Sequence, residues 1–360
     1  MALHGLPMLF AGFAFFVLNL FLMPLPHHVY GQNDPPAIGL CDSSVRIHGY
    51  KCNEFQVTTQ DGYILGLQRI PEGRSAGGDS ANKPPVLLQH GVLVDGMVWL
   101  MNAPEQNLPM ILADKGFDVW IANTRGTRFS RRHTYLQPNQ SEFWNWPWDD
   151  LIAYDLPAVF DYVHNQTGQK LHYVGHSLGT LLALASFTEG LLVNQVKSAA
   201  LLSPIAFLSH MKTAFDNAAA KAFAAEATAF FGMAEINPLG EAGQRFLKIV
   251  CAKPGVNCFN LLRAITGKNC CLNASAVDFF LKNELQSTAT KNMVHLAQRQ
   301  DALSDTEDVA QLLDDLKFHD VLKLTVQFVK DYAHADFVSG VNATDIVYSQ
   351  VYKFFMNHHF

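Results

Sequence analysis

Hydrophobic and polar residues alternate along residues 54–59 and 63–70, and an Asp-Gly pair lies between the two stretches. An Asp-Gly pair in that position is typical of a β-hairpin. Two short apolar runs follow at 85–89 and 118–122, each bounded by turn-forming residues and too short for an ordinary helix. The pattern therefore predicts an opening hairpin and then two buried parallel strands.

Strand-like and helix-like stretches continue to alternate in the next part of the chain. We predict a helix over 149–165, a strand over 171–175, a helix over 178–189 and a strand over 197–202. Alternation of this kind is typical of an α/β protein with a mostly parallel, doubly wound sheet. These residues predict the first part of a catalytic core, spanning residues 32–203.

The pattern changes after residue 203, because apolar and small residues recur at spacings of three and four. The recurring positions are Met211, Phe215, Ala218, Ala222, Ala225 and Ala229. We interpret residues 204–290 as an inserted helical cap. A β-like stretch at 322–329 and a helix at 345–357 then predict that the sheet resumes, so residues 291–360 form the C-terminal part of the core.

The chain begins with an unbroken apolar run over residues 6–25, followed by small residues near Gly31. This order predicts a cleaved signal peptide at residues 1–31. A run of this length can also span a bilayer, so an uncleaved membrane anchor is the alternative.

Cysteines and Asn-x-Ser/Thr sequons agree with passage through the secretory pathway, to an extracellular, vacuolar or lysosomal destination. The predicted glycosylation sites are Asn139, Asn165, Asn273 and Asn342. Six cysteines lie outside any metal-binding spacing and predict up to three disulfides, with buried free thiols as the alternative. We expect no metal site. The net charge of -6 carries no basic cluster, which argues against a nucleic-acid partner.

Candidate chemistry begins at Gly175-His-Ser-Leu-Gly179, a G-x-S-x-G motif between a predicted strand and a predicted helix. In that setting a sharp turn exposes the serine hydroxyl above the sheet edge, so Ser177 is the predicted nucleophile. Its oxyanion hole needs two backbone N–H groups, which we assign to Leu178 and to Val92 of the His90-Gly91 turn. The loop at 123–126 either lies near this site or is structural.

A serine nucleophile needs a histidine base that a carboxylate orients, and both follow the serine in this fold. His334 is the predicted base, because it lies in a loop between the last predicted strand and the last helix. Asp301 is the leading candidate for the acid, followed by Asp305 and Asp308. All three acids could instead lie at a solvated helix start, since the residues before Asp301 do not look like a strand.

Six motifs in order resemble the acid (gastric and lysosomal) lipase family, and most closely its plant members. They start at Leu88, Asn123, Ser130, Gly175, Asp301 and Tyr332. The resemblance implies an α/β-hydrolase fold, a triad of Ser177, Asp301 and His334, and oxyanion donors at Val92 and Leu178. It also implies hydrolysis of triacylglycerols or sterol esters at a lipid–water interface. Water is the remaining reactant, so no cofactor is expected.

One departure from the family pattern lies between residues 297 and 301, where family members carry a long loop and a sheet strand. Loss of that strand would remove the element that presents Asp301 and would expose the edges of its neighbours. A catalytically impaired, lipid-binding protein is therefore an alternative function. A hydrolase of small esters is another, because the fold does not determine the substrate.

Overall fold

The structure is a computed structural model, and it describes residues 39–74, 83–206, 234–237, 266–272, 274–293, 306–320 and 322–358. All of these residues belong to one compact unit, Gly39–Phe360. The predicted signal peptide and most of the predicted cap lie outside the described residues.

Most of the strands form one mixed sheet. They are β1 (Asn53–Thr58), β2 (Tyr63–Ile70), β3 (Pro85–Gln89), β4 (Asp118–Ala122), β5 (Arg132–His133), β6 (Leu171–His176) and β7 (Val196–Leu202). The order across the sheet is β1-β2-β4-β3-β6-β7, and β5 pairs with β2. The β1–β2 hairpin and the β2–β4 pair are antiparallel, whereas β4, β3, β6 and β7 are parallel. Two short strands, β8 (Glu235–Ile236) and β9 (Thr288–Ala289), pair separately.

Helices precede or follow the parallel strands. They are α1 (Leu108–Asp114), α2 (Leu156–Thr167), α3 (Leu178–Thr188), α4 (Ala274–Asn283), α5 (Thr306–Asp315), α6 (Asp336–Ser339) and α7 (Ser349–Asn357). Helical turns at Trp148–Asp150 and Leu151–Asp155 lead into α2, and a π-helical turn at Thr344–Tyr348 leads into α7. None of the described helices combines the length and the apolarity needed to cross a membrane.

The core lies on both faces of the sheet, because side chains along a strand point alternately to opposite sides. Val86 and Leu88 of β3 pack in a cluster with Phe355 of α7. Leu87, between them, packs in a second cluster with Val159 of α2. Helices therefore cover both faces, and the prediction of a doubly wound, mostly parallel α/β sheet is confirmed. The hairpin and the strands β3, β4, β6 and β7 also match their predicted positions closely, whereas β5 was not predicted.

The predicted strand at 322–329 is wrong. Residues 323–329 lie outside helices and strands, and Leu322 and Phe328 have exposed fractions of 86% and 78%. Within the described part of the chain, no strand pairs with the outer edge of β7, so the sheet does not extend toward this segment. The prediction failed because β-like sequences form strands when a neighbouring strand accepts their hydrogen bonds, and here none does.

Candidate active site

Ser177 lies at a sharp turn between the end of β6 and the start of α3. Its backbone has φ 55° and ψ -121°, a conformation that residues other than glycine rarely adopt. The side chain is 3% exposed. A non-glycine residue in a strained conformation is frequent at functional sites, where the surrounding structure holds it. The turn therefore has the geometry expected for a nucleophile elbow.

Close packing explains the two glycines of the motif. A Cβ on Gly175 would lie 2.6 Å from the carbonyl oxygen of Gly179, and a Cβ on Gly179 would lie 2.5 Å from that of Gln89. Both distances are shorter than real contacts of a Cβ, and both neighbours are backbone atoms. Any side chain would therefore force α3 away from β3 or from its own turn.

Hydrogen bonds fix the backbone on both sides of Ser177. Its N–H donates to the carbonyl of Leu202 at the end of β7 over 3.3 Å. Its carbonyl accepts from the hydroxyl of Thr180 over 2.6 Å. The nucleophile is thus tied to the adjacent strand and to the first turn of α3.

His334 lies beside this turn, as predicted for the base. Its imidazole Nδ1 is 2.9 Å from Oγ of Ser203, the residue that follows β7. Its carbonyl accepts a hydrogen bond from Nε2 of His176 over 3.0 Å, and the centroids of the two rings are 4.8 Å apart. His334 therefore contacts the residue before the nucleophile and the strand end next to it.

The carboxylate of Asp336 holds the loop that carries His334. It accepts hydrogen bonds from the N–H groups of Ala333 at 2.8 Å, Cys270 at 3.0 Å and Cys271 at 3.0 Å. Asp336 is fully buried. Hydrogen bonds to a charged acceptor are stronger than neutral ones, so this carboxylate anchors the loop to the segment at 266–272.

The surroundings of both histidines favour the neutral imidazole over the charged form. Loss of hydration lowers the pKa of His334 well below its usual value, and the nearby His176 lowers it further. Loss of hydration also lowers the pKa of His176 to about 4, although the bond to the His334 carbonyl opposes this. A neutral His334 can accept a proton across the physiological range, as a general base must.

The predicted acid cannot be placed, because Asp301 and the alternative Asp305 lie outside the described residues. Asp308 is buried in the first turn of α5. Among the described residues no carboxylate is hydrogen-bonded to the His334 ring, and the partner of Nδ1 is Ser203. Sequence analysis did not identify Ser203, because nothing local distinguishes a serine that follows a strand.

The predicted oxyanion loop lies against the nucleophile. A Cβ on Gly91 would lie 2.8 Å from Cβ of Ser177 and 3.2 Å from its Oγ. Val92 follows in a turn in which Leu93 has φ 60°. His90 holds the turn, since its Nε2 accepts from the N–H of Thr124 over 3.0 Å and its Nδ1 is 2.7 Å from the carbonyl of Gly91. Leu178 is the first residue of α3, so its N–H precedes the hydrogen-bonded turns of the helix.

Residues from the far end of the chain also support the oxyanion loop. Leu93 accepts a hydrogen bond from the N–H of Gln286 over 2.7 Å, and the N–H of Asp95 donates to the Glu284 carboxyl group over 3.0 Å. Burial, together with the neighbouring Asp95 carboxylate, raises the pKa of Glu284 well above its usual value. Arg128 pairs with Asp95 at 2.8 Å, and this cation favours the charged form of Asp95 over that of Glu284.

The loop at 123–126 has a structural role. The Asn123 amide donates to the carbonyl of Gly66 over 2.9 Å and to the Gln68 side chain over 2.7 Å. The buried Arg125 pairs with Asp61 and Asp155, both at 2.6 Å. These bonds connect β2, β4 and the helical turn before α2.

The cysteines that are described form disulfides. Cys41 pairs with Cys52, and Cys270 pairs with the adjacent Cys271. Among the described residues, the group that could hold a metal ion consists of Cys270, Cys271 and Asp336. Its two sulfur atoms are bonded to each other and are therefore not thiolate ligands.

Two of the four predicted glycosylation sites are well exposed. Asn139 precedes a short helical turn and Asn165 lies near the end of α2, and both are open to solvent. The half-buried Asn342 accepts a hydrogen bond from the Tyr332 hydroxyl over 2.7 Å. Asn273 lies outside the described residues.

Family models and curated proteins match this chain. Residues 41–103 match the model of a partial α/β-hydrolase lipase region, and residues 84–248 match the α/β-hydrolase fold. Triacylglycerol lipase 2 of Arabidopsis thaliana is 54% identical over 365 positions, which take in 88% of this chain and 87% of that protein. Human gastric triacylglycerol lipase is 36% identical over 284 positions, covering 76% of this chain and 70% of that protein.

The plant alignment contains many gaps on the side of this chain. Its 365 positions cover 88% of a 360-residue chain, which leaves roughly 50 positions without a residue of this chain. The relative therefore carries residues that have no counterpart here, in agreement with the departure noted before Asp301.

Solved structures share the fold. A soluble variant of monoglyceride lipase from Saccharomyces cerevisiae superposes with a TM-score of 0.55 at 13% identity, covering 86% of this chain and 96% of that chain. The epoxide hydrolase VrEH1 from Vigna radiata gives 0.52 at 14% identity, covering 85% and 98%. At such low identities these likenesses show the α/β-hydrolase fold alone.

Proposed function

Because this chain belongs to the acid lipase family of α/β-hydrolases, we propose that it is a secreted serine hydrolase that cleaves the carboxylic esters of lipids. The proposal rests above all on the strained backbone of Ser177 and on the imidazole of His334, which contacts His176 and Ser203 next to that turn. A strained serine at a strand-to-helix turn next to a neutral histidine is what nucleophilic catalysis by a serine requires.

The proposed reaction proceeds through an acyl-enzyme. Oγ of Ser177 attacks the ester carbonyl while Nε2 of His334 takes its proton, and the N–H groups of Val92 and Leu178 stabilise the oxyanion. His334 then gives the proton to the departing alcohol. Water, deprotonated by the same histidine, releases the fatty acid from Ser177. In this mechanism Asp301 orients His334 and stabilises its charged form.

Triacylglycerols or sterol esters are the proposed substrates, and a lipid–water interface is the proposed place of action. Two relatives with strong identity are named triacylglycerol lipases. We further propose that residues 204–290 form a cap over the acyl chain, between the core segments 32–203 and 291–360.

A secretory route is part of the proposal. We propose that residues 1–31 are a cleaved signal peptide and that Asn139, Asn165, Asn273 and Asn342 accept glycans. The Cys41–Cys52 disulfide supports this route, because such bonds persist in oxidising compartments. The destination is extracellular, vacuolar or lysosomal.

One observation favours a second candidate, a catalytically impaired protein that binds lipid. The chain lacks roughly 50 positions of its plant relative, and the residue that contacts Nδ1 of His334 is a neutral serine. A hydroxyl group does not stabilise an imidazolium as a carboxylate does, so catalysis through His334 would be slower.

Hydrolysis of a fluorogenic long-chain ester tests the proposal, with a short-chain ester in parallel. We expect turnover that is faster on the long chain and is lost in Ser177→Ala. Ser186→Ala is the matched control, because Ser186 is a buried serine on α3 whose hydroxyl has no hydrogen-bond partner in the described structure. Labelling of Ser177 by a fluorophosphonate reports activation of the nucleophile independently of the substrate. Equal turnover by Ser177→Ala would contradict the proposal, and folded protein with neither turnover nor labelling would favour the impaired lipid binder.

A further inference from the structure

Ser203 lies between the two strand ends that form the site, and its hydroxyl meets the imidazole of the base. We propose that Ser203 is a positioning residue, whose Oγ accepts the Nδ1–H of His334 and so directs Nε2 toward Ser177. The distance from Oγ to Nδ1 is 2.9 Å. This inference rests on the proposed function and changes one part of it, because Ser203 then takes the position at Nδ1 of His334 that the proposed triad gives to Asp301.

The backbone at Ser203 is held in an unusual conformation. Its φ is 51°, close to the 55° of Ser177, and both residues follow the last residue of adjacent parallel strands. A left-handed conformation costs roughly 1–2 kcal/mol for a residue other than glycine. Ser203 is 5% exposed, so the hydroxyl is presented inside the site and not to bulk water. The fold thus maintains an unfavourable conformation that points this side chain at His334.

The other described hydrogen bonds of His334 involve its backbone, so Ser203 is the partner of Nδ1. The carbonyl of His334 accepts from His176, and its N–H donates to the carbonyl of Thr266 over 3.2 Å. These two bonds hold the backbone, but neither constrains rotation of the ring. Among the described residues, the side chain that contacts a ring nitrogen of His334 is that of Ser203.

The chemistry of a hydroxyl makes the inference specific. For Nε2 to accept the proton of Ser177, the other ring nitrogen must carry a hydrogen, and a hydroxyl oxygen can accept that hydrogen bond. A hydroxyl can also donate to Nδ1, which would put the hydrogen on Nε2 and block the base. Ser203 therefore orients the ring without charge, and a carboxylate in its place would fix the tautomer and stabilise the imidazolium.

Removal of the hydroxyl is the first test, and the chain provides a matched control. Ser198 lies on β7, the strand that Ser203 follows, and its Oγ is 2.8 Å from Nδ1 of His172, a buried histidine that is not part of the site. We expect Ser203→Ala to lower kcat on the order of 10- to 100-fold with little change in KM, which is at or below the roughly 100- to 10,000-fold that general base catalysis contributes as a whole. Ser198→Ala loses the same kind of bond and should keep kcat within about twofold of the parent.

Replacements that retain an acceptor are the second test. Asn and Asp tolerate a left-handed backbone better than other side chains, and each offers an oxygen to Nδ1. We expect Ser203→Asn to recover most of the kcat that Ser203→Ala loses. Ser203→Asp should reach or exceed the parent, and it should move the acidic limb of the kcat/KM profile to higher pH. A purely structural role for the serine would give no recovery of kcat in Ser203→Asn beyond any recovery of stability.

A third measurement does not depend on turnover. In ¹⁵N-histidine-labelled protein, with His334→Gln to assign the signal, we expect His334 to carry its hydrogen on Nδ1. Ser203→Ala should mix the two tautomers, whereas Ser203→Asp should restore the Nδ1–H form. The inference is overturned if Ser203→Ala leaves the tautomer of His334 unchanged, or if its kcat and pH profile equal those of the parent. Asp301 would then remain the proposed residue that orients the ring.

Failure of the inference differs from failure of the proposed function. If Ser177→Ala hydrolyses the ester as fast as the parent, the proposed function is wrong. If Ser177→Ala is inactive while Ser203→Ala and Ser198→Ala behave alike, the function stands and Ser203 is structural.

Discussion

The proposed nucleophile and the proposed base are held in different ways. Ser177 follows β6, an interior strand of the sheet that pairs on both sides, and it begins α3. His334 follows residues 322–330, which contain no strand and expose Leu322 and Phe328. Its loop is held by the Asp336 carboxylate and by single hydrogen bonds to His176, Thr266 and Ser203.

This difference shows two ways to place a catalytic group. A sheet positions a residue through many redundant hydrogen bonds and buried contacts, so no single one is essential. A loop without a strand depends on a few bonds, and each of them therefore matters more. We therefore expect the free energy of unfolding and the position of the His334 ring to respond to different substitutions.

The largest effect should come from Asp336→Ala, which removes the anchor of the base loop. Three N–H groups would lose their acceptor, at a cost of about 1–3 kcal/mol for each one left buried without a partner. Ala333 and Cys271 are half-buried and Cys270 is exposed, so we expect the free energy of unfolding to fall by about 2–3 kcal/mol. We also expect kcat to fall by about 100-fold, the order of the contribution of the base.

Urea unfolding and ester hydrolysis measure these two effects. Asp345→Ala, at an exposed acid in the turn before α7, serves as the control and should change stability by less than about 0.5 kcal/mol. Equal behaviour of the two variants would mean that the loop does not depend on its anchor.

On the side of the nucleophile, Gly179→Ala tests how rigidly the sheet holds the elbow. The new Cβ would lie 2.5 Å from the backbone oxygen of Gln89, so α3 or β3 must shift. We expect a loss of about 1–3 kcal/mol in stability, as for overpacked sites, together with reduced kcat. Gly190→Ala is the control, since Gly190 has φ 72° and open space around it. It should cost about 1 kcal/mol of backbone strain and leave kcat unchanged. If the free energy of unfolding of Gly179→Ala equals that of the parent, the turn at Ser177 adapts to the new side chain and is not rigid.

A smaller effect concerns the pH dependence of the base. Burial lowers the pKa of His334, so the neutral form persists to lower pH than for an exposed histidine. With Ser203 as the partner of Nδ1 and, among the described residues, no carboxylate beside the ring, we expect the acidic limb of the kcat/KM profile to lie below pH 6.5, the ordinary value for histidine. The free energy of unfolding should also decrease as pH falls below 6.5, because the pKa of His334 is lower in the folded state than in the unfolded chain. An acidic limb at or above pH 6.5 would show that His334 is solvated.

The smallest effect is expected from Phe328→Lys, in the exposed segment before the base. Phe328 is 78% exposed, so its replacement should change the free energy of unfolding by less than about 0.5 kcal/mol. Concentration-dependent light scattering should decrease, because exposed apolar side chains promote association. If scattering is unchanged and the free energy of unfolding falls, Phe328 packs against the core. The segment before His334 would then be held more like the strand before Ser177.

Sequence patterns predicted the region of the nucleophile well. The strands β3, β4, β6 and β7 and the helix α3 are short segments whose character depends on their own alternation and turns. The G-x-S-x-G motif then identified Ser177 from its place between a strand and a helix. His334 was predicted from chain order and loop context, and the structure brings it to the same turn.

The surroundings of the base could not be predicted in the same way. The stretch at 322–329 has the composition of a strand, but a strand also needs a neighbour, which local sequence does not reveal. Ser203 and Asp336 act through contacts with residues 131 and 66 positions away in the chain. Ordinary polar side chains carry no local signal of such distant partners. Asp301 stays a prediction, as do the oxyanion donors Val92 and Leu178.

The left-handed conformations of Ser177 and Ser203 have a consequence for directed evolution of this protein. Glycine adopts such conformations without steric cost, so either serine replaced by glycine would relieve about 1 kcal/mol of strain. A selection for thermal resistance alone would therefore enrich glycine at the two positions that the proposed chemistry uses. The selected variants would be more stable but would lose turnover. A screen for both stability and turnover would keep the two serines and select stabilising substitutions at other positions.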